Sequence, residues 1–297
     1  MTLKACLRSM RLRTLPLSLA GVTLGVLLAA GERPLDALTV ILLLLTTVSL
    51  QILSNLSNEL GDTLSGTDRA DRQGIRYSLQ DGEMSVPEMK RLIAATAAVC
   101  CVLGLGMVWS AFGSPLRPLA LAFLALGAAA VWAAMHYTLG KNPYGYRGLG
   151  DLFVFIFFGL ATVCGGYYLA GQAWSWRILL PAAAIGCFSV AVLNINNIRD
   201  MKSDAATRVT VAMRLGVPRA RIYQTVLIAT GWALMTVFSL LPPAGVWRFL
   251  FVLTLPGFVK HLHGVWTLQD RALDPMLPLL VISTFAFALL GGIGGLF

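Results

Sequence analysis

Eight stretches of the chain carry no lysine, arginine, aspartate or glutamate: residues 14–31, 37–58, 92–116, 118–140, 152–176, 178–198, 222–247 and 275–297. Each reaches the ~18 residues that a membrane-spanning helix requires. Residues 249–267 are a weaker ninth candidate, interrupted by Lys260, His261 and His263. The runs are continuous rather than alternating, which excludes a transmembrane β-barrel. The pattern predicts an all-α membrane protein of nine transmembrane helices, with residues 1–297 forming one integral-membrane domain.

Charge orients this scaffold. With nine spans and an internal N-terminus, 19 of the 23 basic residues fall on one face, and Arg33, Arg117, Arg177 and Arg248 remain outside. Cytoplasmic segments of membrane proteins carry such an excess. The N-terminus is therefore expected in the cytoplasm. The acids follow the same side, all but Glu32 and Asp36. The topology rule does not require this, so it invites a functional reading. A net charge of +9 on a chain that is 57% hydrophobic and 12% charged is explained by orienting loops and anionic lipid heads. It gives no ground for a nucleic-acid partner. The first apolar run lacks a clean small-x-small cleavage pattern and is expected to be retained as a span.

Two acidic segments stand out. Asn58-Glu59-Leu60-Gly61-Asp62, with Asp68 following, ends the second run, and Asn196 to Asp204 ends the sixth. Four crossings separate them, so the chain returns to the same face. This predicts two similar four-helix units plus a final helix, with a site at the junction of the halves. Asn58 and Asp62, Asn196 and Asp200, and Asp200 and Asp204 are each four residues apart, which stacks them on one helical face. Clustered hard oxygens beside cationic side chains suggest magnesium and a phosphorylated substrate. Arg72, Arg76, Lys141, Arg199 and Arg208 are the candidate phosphate ligands, the arginines by bidentate contacts. Asp151 reads equally as a helix cap or a base. The long inner loops, 61–91 and 199–221, follow the same two helices, so the chemistry is expected on one side.

Other features read as structural. The five cysteines have no metal spacing, and four of them sit within apolar runs. His261 and His263 diverge on a helix and His136 is isolated. Gly104–Gly106 and Gly291–Gly295 lie inside apolar helices and read as packing positions. Neither a Gly-x-Ser-x-Gly elbow nor a Walker lysine is present.

Taken together the motifs resemble the UbiA-type superfamily of membrane prenyltransferases. The resemblance rests on Arg11-Leu12-Arg13-Thr14-Leu15-Pro16, on Gln51-Ile52-Leu53-Ser54-Asn55-Leu56, and on Gly74, Arg76, Gln80 and Gly82. It continues through Tyr137-Thr138-Leu139-Gly140-Lys141, Pro143-Tyr144-Gly145-Tyr146 and Gly148-Leu149-Gly150-Asp151. Asn196-Asn197, Arg199-Asp200, Asp204, Arg208, Thr210 and Arg214-Leu215-Gly216 complete it. Glu59 stands where the superfamily usually has Asp, and is left out of the ligand set. Asp68 replaces an acid four residues beyond Asp62, a spacing that looks like the naphthoate branch.

The resemblance implies a UbiA-type bundle in a bacterial inner membrane with a cytoplasmic active site. It implies transfer of a polyprenyl group from polyprenyl diphosphate to 1,4-dihydroxy-2-naphthoate, with release of diphosphate and CO2, giving demethylmenaquinone. Asn58, Asp62, Asp68, Asn196, Asp200 and Asp204 would hold Mg2+. Arg72, Arg76, Lys141, Arg199 and Arg208 would hold the diphosphate, with Tyr144 and Asp151 also at the substrates and Arg11 on the acceptor's carboxylate. Asp62, Asp200, Asp204 and Lys141 would be catalytic. Within the superfamily the alternative is a 4-hydroxybenzoate or other aromatic acceptor. A secondary transporter is the alternative from another class, but transporters place binding charges near the midplane, where these eight runs have none.

Overall fold

The computed structural model describes residues 2–66, 76–205, 207–242 and 244–297. Among the described residues, nine helical spans are long and apolar enough to cross a membrane. They are α1 (Leu3–Ala30), α2 (Ala37–Leu64), α3 (Val86–Phe112), α4 (Pro118–His136), α5 (Gly150–Gly171), α6 (Trp176–Arg199), α7 (Val211–Leu240), α8 (Val246–Thr267) and α9 (Asp270–Gly294). Asp68 and Arg72 lie outside the described residues.

Local chemistry sets the helix ends. Asp36 accepts from the Thr39 amide at 2.8 Å and caps α2. Ser85 and Glu88 form a capping box at the start of α3, which ends at Gly113 in the left-handed region. The first span is broken at Arg11, whose φ of 51° separates Leu3–Ser9 from the transmembrane part Leu15–Ala30.

The two loops expected over 61–91 and 199–221 are both partly helical. α2 continues to Leu64, and α7 starts at Val211, well before its apolar run. Polar residues need no apolar face to continue an existing helix, so hydropathy ended both elements early. Within α7, Gly216 (φ 70°, ψ 160°) and Pro218 mark a kink.

α1 packs on α5 and α9 as well as on α2. The two predicted four-helix units therefore share one core, which draws on every span from α1 to α9. Phe188, Trp232, Phe258 and Phe287 interlock at its centre with ring separations of 4.8–5.9 Å. A Cβ on Gly159 would lie 2.5 Å from the Cα of Gly186, so α5 and α6 cross at backbone contact. Gly291 and Gly292 likewise lie against Met235 and Leu27. Gly104 has open space around it instead and packs no helix among the described residues. This corrects the packing role expected there.

Candidate active site

The second acidic segment owes its geometry to backbone hydrogen bonds that continue past the end of α6. Asp200 N donates to Asn196 O at 3.0 Å, Asp204 N to Asp200 O at 2.9 Å, and Arg208 N to Asp204 O at 3.1 Å. Asn196, Asp200, Asp204 and Arg208 therefore recur every four residues on one face. The first segment is held by Thr138, whose hydroxyl donates to Ser57 O at 3.0 Å and to Asn58 Oδ1 at 3.3 Å. Thr138 comes this close because residue 61 is glycine: a Cβ there would lie 2.5 Å from the threonine Cβ and 2.6 Å from its carbonyl.

One guanidinium joins the two segments. Arg208 Nη2 lies 3.2 Å from Asp62 Oδ1, and its Nε lies 3.1 Å from Asp204 Oδ2. All three side chains are buried. Burial opposes the charge on Arg208, but the two carboxylates outweigh it and raise its pKa. Tyr146 donates to Asp62 Oδ1 at 2.7 Å, and its ring lies 5.2 Å from the Arg208 guanidinium carbon. The Tyr146 loop is itself fixed by Val209 N donating to Tyr146 O at 3.0 Å. A second ion cluster stands beside the first. Arg199 holds both oxygens of Asp200, at 2.7 and 2.6 Å, and reaches Asn196 Oδ1 at 2.9 Å and Asp274 Oδ1 at 3.0 Å.

These clusters form the mouth of a cavity of about 570 Å³. Asn58, Asp62, Asn196, Arg199 and Arg208 line the mouth, while Asp200 and Asp204 stand behind the arginines. Leu43, Met107, Phe123, Phe157 and Leu169 line the apolar remainder. A π-helical stretch, Phe155–Ala161, contributes Phe157, Phe158 and Ala161 to that wall. Arg11 and Tyr144 also face the cavity. Tyr144 donates to Ala133 O at 2.9 Å and packs 4.0 Å from the Phe153 ring.

Other expected site residues lie elsewhere. Lys141 is exposed in the turn after α4 and does not line the cavity. Arg76 is exposed and paired at 2.8 Å with Asp81, which also binds Arg8. Asp151 accepts from Tyr223 at 3.1 Å and links α5 to α7. Glu59 is fully buried and accepts from the Leu79 amide at 2.8 Å. That contact explains an acid at position 59 without a ligand role. Tyr146, quoted above only as part of a motif, and Asp274 carry no local sign of a role, because what marks them is a partner on a distant element.

Among the described residues, no three acids, histidines or cysteines converge on one point. The donor set nevertheless fits magnesium, which takes one or two carboxylates and completes its shell with water and phosphate oxygens. The available donors are hard oxygens. Asp62, Asp200, Asp204 and Asp274 bring those oxygens together beside Arg199 and Arg208.

Residues 18–291 match the profile of the UbiA prenyltransferase family. The chain is 40% identical to the 1,4-dihydroxy-2-naphthoate octaprenyltransferase of Escherichia coli (strain K12), over 92% of this chain and 89% of the relative. Its fold resembles the apo structure of a UbiA homolog from Aeropyrum pernix K1, with a TM-score of 0.72 and 20% identity over 93% of this chain and 96% of that one. It also resembles a UbiA homolog from Archaeoglobus fulgidus bound to DMAPP and Mg2+, with a TM-score of 0.62 and 16% identity over 96% and 99% of the two chains. Matched along nearly its whole length, this chain belongs to the UbiA prenyltransferase family.

Proposed function

We propose that the protein transfers a polyprenyl group from polyprenyl diphosphate to 1,4-dihydroxy-2-naphthoate. The observation that carries this reading is the meeting of both acidic segments on Arg208 at the mouth of a largely apolar cavity. Support for the acceptor comes from the Escherichia coli relative, and for Mg2+ from the Archaeoglobus fulgidus homolog. Asn58, Asp62, Asn196, Asp200 and Asp204 are the residues that would hold Mg2+, which when bound neutralises charge on the departing diphosphate.

Arg199 and Arg208 line the mouth, where fixed guanidinium donors can meet phosphate oxygens. Tyr146 and Asp204 hold Arg208 and Asp62 in register, so little reorganisation is needed when the leaving group gains charge. The apolar wall takes the isoprenoid tail and keeps water from the allylic carbon as its C–O bond breaks. Diphosphate leaves with the bonding pair. The electron-rich ring then supplies the pair for the new C–C bond, and departure of the carboxylate as CO2 returns its bonding pair to the ring and restores aromaticity. Leu126 and Gly127 both line the cavity and are exposed on α4, which gives a lipid-borne substrate and product a route. The basic loops would put the mouth on the cytoplasmic side of a bacterial inner membrane.

The test gives purified protein, Mg2+ and a polyprenyl diphosphate either 1,4-dihydroxy-2-naphthoate or 4-hydroxybenzoate, and identifies products by mass. Prenylated, decarboxylated naphthoate with released diphosphate is expected. Prenylated hydroxybenzoate alone would overturn the acceptor, and no diphosphate release with either would overturn the reaction.

A further inference from the structure

Where α1 breaks at Arg11, a chain of hydrogen bonds ends on an atom that has no partner among the described residues. Asn55 Nδ2 donates to Met10 O at 2.8 Å and to Thr14 Oγ1 at 2.9 Å. A backbone carbonyl only accepts, so the amide nitrogen of Asn55 must face it. The Asn55 oxygen is thereby turned toward Gln51, whose Nε2 donates to it at 3.0 Å and to Thr14 Oγ1 at 3.2 Å. Thr14 can receive both amides because its single proton is spent on Arg11 O at 2.9 Å. Every orientation in the chain is thus determined, and its free end is Gln51 Oε1.

That oxygen is buried and has no hydrogen-bond partner among the described residues. Gln51 is only 8% exposed and lines the cavity. A buried acceptor left unpaired is costly, and a site built this way selects a ligand that supplies the proton. Within one turn of Thr14, the Arg11 guanidinium lies 3.8 Å from the centre of the Tyr77 ring. Its Nε and Nη2 are also buried without partners among the described residues. Arg11 holds a left-handed backbone conformation that non-glycine residues seldom adopt, as occurs where a side chain is held for function. One wall of the cavity therefore offers two unmatched cationic donors and one unmatched neutral acceptor.

We propose that Gln51 is a specificity-determining residue whose Oε1 accepts the 4-hydroxyl proton of a hydroxylated aromatic carboxylate. This rests on the acceptor reading above and deepens it. The hydroxyl next to the carboxylate keeps its proton in an internal hydrogen bond, so the free proton of the dihydroxynaphthoate is at position 4. Glutamine, unlike glutamate, accepts this proton without repelling the carboxylate. It is a positioning contact and takes no proton from the ring.

The test measures inhibition constants for 4-hydroxy-2-naphthoate, 4-methoxy-2-naphthoate and 2-naphthoate, each competing with 1,4-dihydroxy-2-naphthoate at saturating polyprenyl diphosphate. For the unaltered protein, the hydroxy compound should bind roughly tenfold tighter than the other two, the size of one net hydrogen bond. Gln51→Met should bring the three together by weakening the hydroxy compound alone, while KM for the polyprenyl diphosphate stays unchanged. Equal binding of all three by the unaltered protein overturns the proposal without any variant, and so does a preference that survives in Gln51→Met. Failure to prenylate dihydroxynaphthoate at all is seen in the uninhibited reaction, and overturns the acceptor reading separately.

Discussion

Arg208 joins Asp62, 146 positions before it in the chain, to its own neighbour Asp204, so its loss should be felt on both sides. Arg208→Met leaves two buried carboxylates without their shared cation, and removes the donor that the proposed reaction directs at the leaving group. Turnover should fall by at least about 100-fold, in line with the loss of one preorganised donor at developing charge. Arg208→Lys should not restore it, because one ammonium cannot reproduce a planar fork that reaches two carboxylates. Diphosphate release by both variants, normalised to folded protein by size-exclusion chromatography, checks this. Tyr146→Phe is a milder probe. It removes the 2.7 Å hydrogen bond to Asp62 together with the 2.9 Å contact to the Ser65 hydroxyl, and kcat/KM should fall by roughly two- to tenfold while the protein stays folded.

Among the elements, the end of α2 and the start of α1 carry the most consequence. Gly61→Ala would drive a methyl into the backbone of residue 138, and the 81-residue link between Ser57 and Thr138 would have to open. Such overpacking costs about 1–3 kcal/mol, and displacement of Asn58 should reduce activity further. A lowered unfolding temperature in detergent together with reduced turnover is the expected result; an unchanged Tm would show that α2 and the 138 turn separate freely. At the other end, Leu3–Ser9 is fastened to the 76–84 segment by Arg8, which binds Asp81 at 2.5 Å and Glu83 at 3.0 Å. The hydrogen bond from Arg8 is the main reason that the Asp81 carboxyl titrates below its ordinary 3.8. A depressed carboxyl pKa means this fastening is complete above that value and is lost as the pH falls through the lower, folded one. Protection of the Leu3–Ser9 amides, taken relative to intrinsic exchange at each pH, should therefore fall as pH drops below about 4. Asp81→Asn should show the lower protection already at neutral pH.

For the molecule as a whole, eight charge-free runs and a weaker ninth made the nine spans of the described residues legible, because a membrane helix is predominantly apolar whatever surrounds it. The four-residue rhythm of Asn196, Asp200, Asp204 and Arg208 was legible too, since a helical face is a local property. What surrounds that face was not. Tyr146, Asp274 and the amide of Gln51, whose nitrogen is held by Thr14, matter through partners 84, 75 and 37 positions away, and no local pattern encodes such meetings. Lys141 illustrates the reverse: its motif points to the site, while the turn after α4 leaves it exposed. Orientation follows from charge alone and can be measured directly. With the five native cysteines replaced, single cysteines at Arg33 and Arg117 should react with a membrane-impermeant maleimide in intact cells. Lys141→Cys and Lys202→Cys, on the face of the acidic segments, should react only after the membrane is opened. All four positions are exposed, so the labelling reports sidedness rather than burial. The reverse pattern would put the proposed diphosphate-binding mouth outside the cell, away from aromatic acids in the cytoplasm, and would remove the charge argument on which the cytoplasmic site depends.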